Sequence, residues 1–160
     1  MKTITIGFSK SKKKFPIGSW LIRAYMGTPY SHVYLRFYSK SLDRTLIYEA
    51  VGDGVRFIGA KQWEKHAVEV DSFDIELING NYISLLQYCV DHTGVEYGIA
   101  QNLGVPLASI FNLETNPFQS GTNCSEEIYK ILVLSGYPNT KKKDLVTPKD
   151  IHRMLSESQN

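Results

Sequence analysis

Cys124 opens the stretch TNCSEEIYKILVLSG, where a polar turn becomes an amphipathic helix. A thiol at a helix start lies over unpaired backbone N–H groups and the positive end of the dipole, and both favour the nucleophilic thiolate. Thr122 and Asn123 supply the N-cap candidates, and the apolar stripe runs Ile128, Ile131, Leu132, Ser135, so Cys124 shares the inward face. Glu126 and Glu127 fall in the first turn and oppose a thiolate. The helix alone therefore does not activate the sulfur, and a base is required.

The candidate base is His32 in YSHVYLRFYS. Val33, Leu35 and Phe37 alternate with His32, Tyr34 and Arg36, the pattern of a strand with one apolar face and the histidine at its start. An imidazole there can meet a helix N-terminus packed over the sheet and take the thiol proton, which is the logic of Cys–His nucleophilic catalysis. Glu49 is the third piece. It is an acid inside the apolar run LIYEAV, followed by a Gly-Asp-Gly turn. Buried carboxylates are rare without partners. On a strand beside that of His32, this one can fix the imidazole tautomer and stabilise the imidazolium. Alternation puts Ile47 and Glu49 on one face and Tyr48 on the other, and we expect the acid's face to lie under the Cys124 helix.

Each residue taken singly has a plainer explanation. A cysteine at the start of an amphipathic helix is more often a small buried hydrophobe. A strand histidine is more often structural, and Glu49 could be an edge-strand residue paired with Arg56. The ordered combination is what points to chemistry. Cys89 is the internal contrast. It lies on the stripe Tyr82, Leu85, Leu86, Cys89 and reads as core packing.

The elements that must position these groups follow from periodicity. Strands are expected over residues 3–8, 31–38, 46–50, 55–58 and 68–77. Helices are expected over 17–26, 82–92, 97–111 with an interruption near Gly104-Val105-Pro106, 124–135 closed by Gly136, and 149–155 opened by Pro148. This is an α+β arrangement, an antiparallel sheet with helices packed on one side.

The segments SWLIRAYMGTPYSHVYL, LIYEAVGDGV, GVEYGIAQNLG and TNCSEEIYKIL together resemble the circularly permuted, YiiX-like branch of the NlpC-type papain-like cysteine peptidase superfamily. The resemblance spans about residues 3–136. It implies a single permuted papain-like hydrolase domain over 1–160, with the nucleophile at the N-terminus of a helix in the C-terminal half. It places the histidine on His32, the acid on Glu49 and the nucleophile on Cys124. A tyrosine that helps line the oxyanion site falls on Tyr97. Two features depart from the pattern: many members carry Asp after that tyrosine, where this chain has Gly98, and many carry secretion signals.

The expected function is hydrolysis of an amide or ester bond in a peptide-like or acyl-bearing substrate through a Cys–His–Glu acyl-enzyme. Acyl transfer or thioester cleavage on the same site, or an inactive binding module on the same fold, are the alternatives. Tyr30, Tyr34, Arg36 and Trp63 are candidate pocket walls. The 160 residues carry 42% hydrophobic and 21% charged side chains, ordinary for a globular chain, and a net charge of +2 gives no strong pull toward nucleic acid. The basic clusters Lys10–Lys14 and Lys141–Lys143 read as solvated loops. MKTITIGFSKSKKK lacks the apolar core of a signal peptide, and no apolar run approaches the roughly 18 residues of a membrane span, so a cytoplasmic chain of bacterial or viral origin is expected. The four histidines and two cysteines show no zinc-type spacing, so neither metal nor cofactor is expected.

Overall fold

The computed structural model describes residues 2–12, 17–118 and 120–159. Five strands form one antiparallel sheet: β1 (Lys2–Ser11), β2 (His32–Ser39), β3 (Arg44–Val51), β4 (Gly54–Gly59) and β5 (Ala67–Leu77), in the order β4-β3-β2-β1-β5. β2 is central. Its neighbour β3 is in register with Leu35 opposite Tyr48 and Arg36 opposite Ile47. That register brings the start of β2 and the end of β3 together at one end of the sheet, the end that carries both His32 and Glu49.

Among the described residues, six α-helices accompany the sheet: α1 (Ile17–Met26), α2 (Ala60–Trp63), α3 (Asn79–Asp91), α4 (Ile99–Ile110), α5 (Cys124–Leu134) and α6 (Pro148–Ser158), with a short 3-10 turn at Lys143–Leu145. Side-chain alternation splits the apolar residues between the two sheet faces. Ile4, Ile6, Val33, Leu35, Phe37, Tyr48 and Ala50 point to the main core, where they meet Leu85 and Cys89 of α3, Ile128, Ile131 and Leu132 of α5, and Ile151 and Leu155 of α6. Tyr34, Ile47 and Trp63 form a smaller cluster on the opposite face. Gly7 of β1 is required beneath it, because a β-carbon there would collide with the Tyr34 ring.

Two expectations about the elements are corrected. Helices do not lie on one face alone: α2 covers part of the other. At four residues it is too short to leave a period in the sequence. And α4 runs unbroken through Pro106. A proline removes one i→i−4 bond and crowds the preceding turn, but α4 is anchored on both sides of it by buried Gln101, Gly104, Val105 and Ala108. Gly104 packs so closely on Asn116 that a β-carbon would overlap its Oδ1. α6 also extends past residue 155 to Ser158, started by a Thr147–Asp150 capping box with Pro148 in its first turn.

The basic clusters are partly outside the described residues, since Lys13 and Lys14 fall there. Of the rest, Lys12 donates to the Glu64 carbonyl, Lys141 pairs with Asp150, Lys142 with Glu114 and Lys143 with Glu126. Among the described residues, no helix is long and apolar enough to cross a membrane.

Candidate active site

α5 starts where the sequence marks it. Asn123 is extended, and its side-chain oxygen accepts the Glu126 N–H at 2.9 Å, while its carbonyl accepts the Glu127 N–H. Cys124 is the first helical residue and is 5% exposed. The two first-turn acids are compensated from within. Glu127, buried, accepts from the Thr122, Tyr48 and Tyr88 hydroxyls and from Lys130 Nζ. Glu126 pairs with Lys130 at 3.0 Å, while its Oε2 is buried without a hydrogen-bond partner among the described residues.

His32 Nε2 donates to Glu49 Oε2 at 3.0 Å. That leaves Nδ1 on the side of the Cys124 thiol, and the ring and the sulfur lie close enough to shift each other's titration. The two residues lie 92 positions apart in the chain (124 − 32). Burial disfavours the charged imidazolium, but the Cys124 sulfur and the Glu49 carboxylate outweigh it and push His32 from 6.5 up to about 10. The thiol moves the other way. Burial raises it, yet the hydrogen bond and charge of His32, the Val33 N–H and the Ser125 hydroxyl bring it below the usual 9.0. The two shifts run in opposite directions, toward a proton held on nitrogen and away from sulfur.

Glu49 is 3% exposed and fully partnered. Oε2 accepts from His32 and from Trp63 Nε1 at 3.1 Å, and Oε1 accepts from Arg56 Nε and Nη2 at 3.1 and 2.8 Å. Arg56 is its directly opposite neighbour on β4. The plainer reading, a pair with Arg56, and the orienting reading hold together, one on each carboxylate oxygen. Burial alone would raise this acid; His32 and Arg56 hold it down at about 2.

The position of Glu49 corrects one expectation. It does not lie under α5. It shares the opposite sheet face with Ile47, Tyr34 and Trp63, while Tyr48 faces the α5 side. His32 joins the two sides because it stands at the very start of its strand, where the ring stacks toward Tyr34 and still lies close enough to Cys124 to be shifted by it. Trp63 was the missing partner. The only sequence signal for it is a tryptophan amid polar residues, whose N–H needs an acceptor when buried.

Tyr97 is held by a latch, a single isolated bridge between two extended segments. Its backbone forms a parallel bridge with Thr122: Gly98 N–H donates to the Thr122 carbonyl at 2.8 Å, and Thr122 N–H to the Glu96 carbonyl at 3.0 Å. Glycines make the approach possible. A β-carbon at Gly98 would collide with the Ser120 carbonyl oxygen, and Gly121, at φ +75°, lies against Glu96 and Gly98. The residue after the tyrosine thus has no room for any side chain in this chain. The Tyr97 hydroxyl accepts from Asn102 Nδ2 at 2.6 Å. Burial and the neighbouring Cys124 charge raise its pKa, so it stays a neutral donor.

The expected pocket walls are not where the sequence suggested. Tyr34 and Trp63 sit behind Glu49, Arg36 pairs with Glu69 at 2.7 Å, and Tyr30 stacks on His152. The cavity that reaches Cys124 is walled instead by α1, α4 and the segment leading into α6.

No family model, curated protein or solved structure matches this chain.

Proposed function

We propose that the protein is a thiol hydrolase that cleaves an amide or ester bond through an acyl-enzyme. The observation that carries this reading is the His32–Glu49 hydrogen bond beside a helix-starting Cys124 that opens on a cavity, supported by shifts of opposite sign on the thiol and the imidazole. Perturbed groups in contact beside a cavity are where catalysis is expected.

In this mechanism the Cys124 thiolate adds to the substrate carbonyl. The developing oxyanion accepts from the Tyr97 hydroxyl and from the Cys124 backbone N–H, a first-turn group without an intrahelical acceptor. His32 gives its proton to the leaving group. It then takes one from water as that water attacks the thioester, and the thiolate returns. Glu49 keeps Nε2 protonated, so that Nδ1 is the atom that exchanges protons with the site. Arg56 and Trp63 hold the carboxylate in place.

The chain order of the histidine strand, the acid strand, the tyrosine and the cysteine helix supports assignment to the permuted NlpC-type, YiiX-like branch, with a papain-like fold in permuted order. The closed contact of Gly98 supports carrying over Tyr97 despite the missing aspartate, because the latch supplies the placement. The test is turnover of a panel of 4-nitrophenyl esters and peptide anilides by wild type and Cys124→Ala. We expect wild type to release nitrophenol or nitroaniline with an acylated Cys124 visible by mass spectrometry, and the variant to do neither. A wild-type chain that is never acylated by any of them contradicts the reading.

A further inference from the structure

A cavity of about 230 Å³ opens on Cys124. Its walls are almost wholly aliphatic: Leu21, Ile22 and Met26 from α1, Leu103 and Pro106 from α4, and Val146 ahead of α6. The polar groups it does have cluster at the chemistry. Asn123 and Ser125 flank the cysteine, Asn102 is bonded to Tyr97, and Ser31 precedes His32. Thr147 and Tyr25 are the exceptions: the Thr147 side chain is taken up by capping α6, and Tyr25 is 44% exposed. Away from the sulfur, the walls are therefore predominantly aliphatic, with few groups to hydrogen-bond.

That distribution selects the ligand. A peptide carries a donor and an acceptor at every residue, and burying them here would leave them unsatisfied. A hydrocarbon chain has no such groups. The volume exceeds the roughly 150 Å³ apolar cavity that admits benzene, yet falls below the roughly 300 Å³ at which pockets for drug-sized ligands begin. It suits one aliphatic tail. The rim continues the same character: Leu103 is 59% and Ile99 66% exposed on α4, beside exposed Leu21 and Tyr25 on α1.

We propose that this cavity is an acyl-chain subsite, holding the aliphatic tail of a carboxylic ester or thioester whose carbonyl Cys124 attacks. The proposal rests on the thiol-hydrolase reading and names its substrate class. The Cys124 Sγ–carbonyl bond forms as the bond to the alcohol or thiol breaks. His32 protonates that leaving group. Water then adds to the carbonyl, gives a proton to His32, and the Sγ–carbonyl bond breaks to release the fatty acid and the thiolate. Only water is consumed.

The test is a series of acetyl, butanoyl, hexanoyl and octanoyl thioesters of N-acetylcysteamine, with vesicles of a long-chain diacyl phosphatidylcholine to distinguish a soluble from a membrane-borne carrier. Alongside it, iodoacetamide and N-octyl-iodoacetamide are compared as alkylating agents. We expect kcat/KM to rise by about fourfold per added methylene until the cavity is full, the value of burying one methylene. N-octyl-iodoacetamide should alkylate Cys124 faster than iodoacetamide. Leu21→Glu, at a half-exposed rim position that folding tolerates, should flatten both series. A rate independent of chain length, with Cys124 still selectively alkylated at neutral pH, overturns the acyl subsite and leaves the hydrolase intact. Failure of iodoacetamide to distinguish Cys124 from Cys89 overturns both.

Discussion

Cys124 and Cys89 stand on similar ground and are driven in opposite directions. Both are buried, both belong to helices laid on the same face of the sheet, and both contribute to the same core. Cys89 sits inside α3, where burial and the nearby Glu127 charge raise its thiol well above 9.0. Cys124 meets the same burial and is lowered, because His32, the Val33 N–H and Ser125 converge on the sulfur. Burial therefore does not decide reactivity here. The sign is set by what the first turn of α5 faces, and that is the imidazole held by Glu49.

The strongest way to break this comparison is to exchange which cysteine is removed. Cys124→Ala should abolish turnover with the fold retained, whereas Cys89→Ala should keep turnover and lose about 1 kcal/mol of stability as a small core truncation. Turnover and urea unfolding measured on both variants check it; the reverse pattern means the nucleophile is misassigned. His32→Gln should cost nearly as much turnover as losing the nucleophile, because such groups act as a unit. It should also bring iodoacetamide labelling of Cys124 at neutral pH toward that of Cys89.

Glu49→Gln sharpens the comparison one step further out. If the carboxylate orients the ring, the chemical step falls by up to about 10⁴-fold, and the His32 pKa, followed by NMR, drops below about 10. An unchanged pKa with unchanged turnover would take Glu49 out of the relay. Trp63→Phe removes one donor to the same oxygen and leaves His32 and Arg56 in place, so a smaller loss is expected, about tenfold in kcat.

The pair also leaves a pH signature in stability. His32 is raised, so its contribution is present below 6.5 and lost as pH climbs through about 10. Cys124 is lowered, so its contribution is present above 9.0 and lost as pH falls through its lowered value. Above 6.5 and above the lowered Cys124 value, up to 9.0, the folded pair and the unfolded pair each hold one proton, on nitrogen in one and on sulfur in the other, so the slope vanishes there. The stability difference between wild type and a Cys124→Ser, His32→Gln double variant should be flat across that window. From 9.0 to about 10 it should shrink by about 1.4 kcal/mol per pH unit. Chemical denaturation at stepped pH measures it.

Much of this site was legible because its parts are local. The Asn123 cap, the polar position of His32 at a strand start and an acid on the adjoining strand are each written within a few residues. Alternation puts Glu49 with Ile47 and against Tyr48, as the structure has it; which face α5 covers was not legible, because Trp63, which covers the acid, is carried by a four-residue helix with no period to read. The continuous α4 was missed because Pro106 reads as a break, and only the packing of Gly104 and Ala108 keeps it helical. The cavity walls were missed for a related reason. Aromatic residues near His32 look like a pocket in sequence, whereas α1 and α4 meet only in three dimensions.

The central claim is that His32 lowers the Cys124 thiol below its ordinary value while Cys89 stays above it. The most direct test is the ultraviolet absorbance of the thiolate across pH, taken as wild type minus Cys124→Ser. The account predicts a step with its midpoint below 9.0 that moves upward in His32→Gln. A step at or above 9.0, or one that His32→Gln leaves in place, contradicts it.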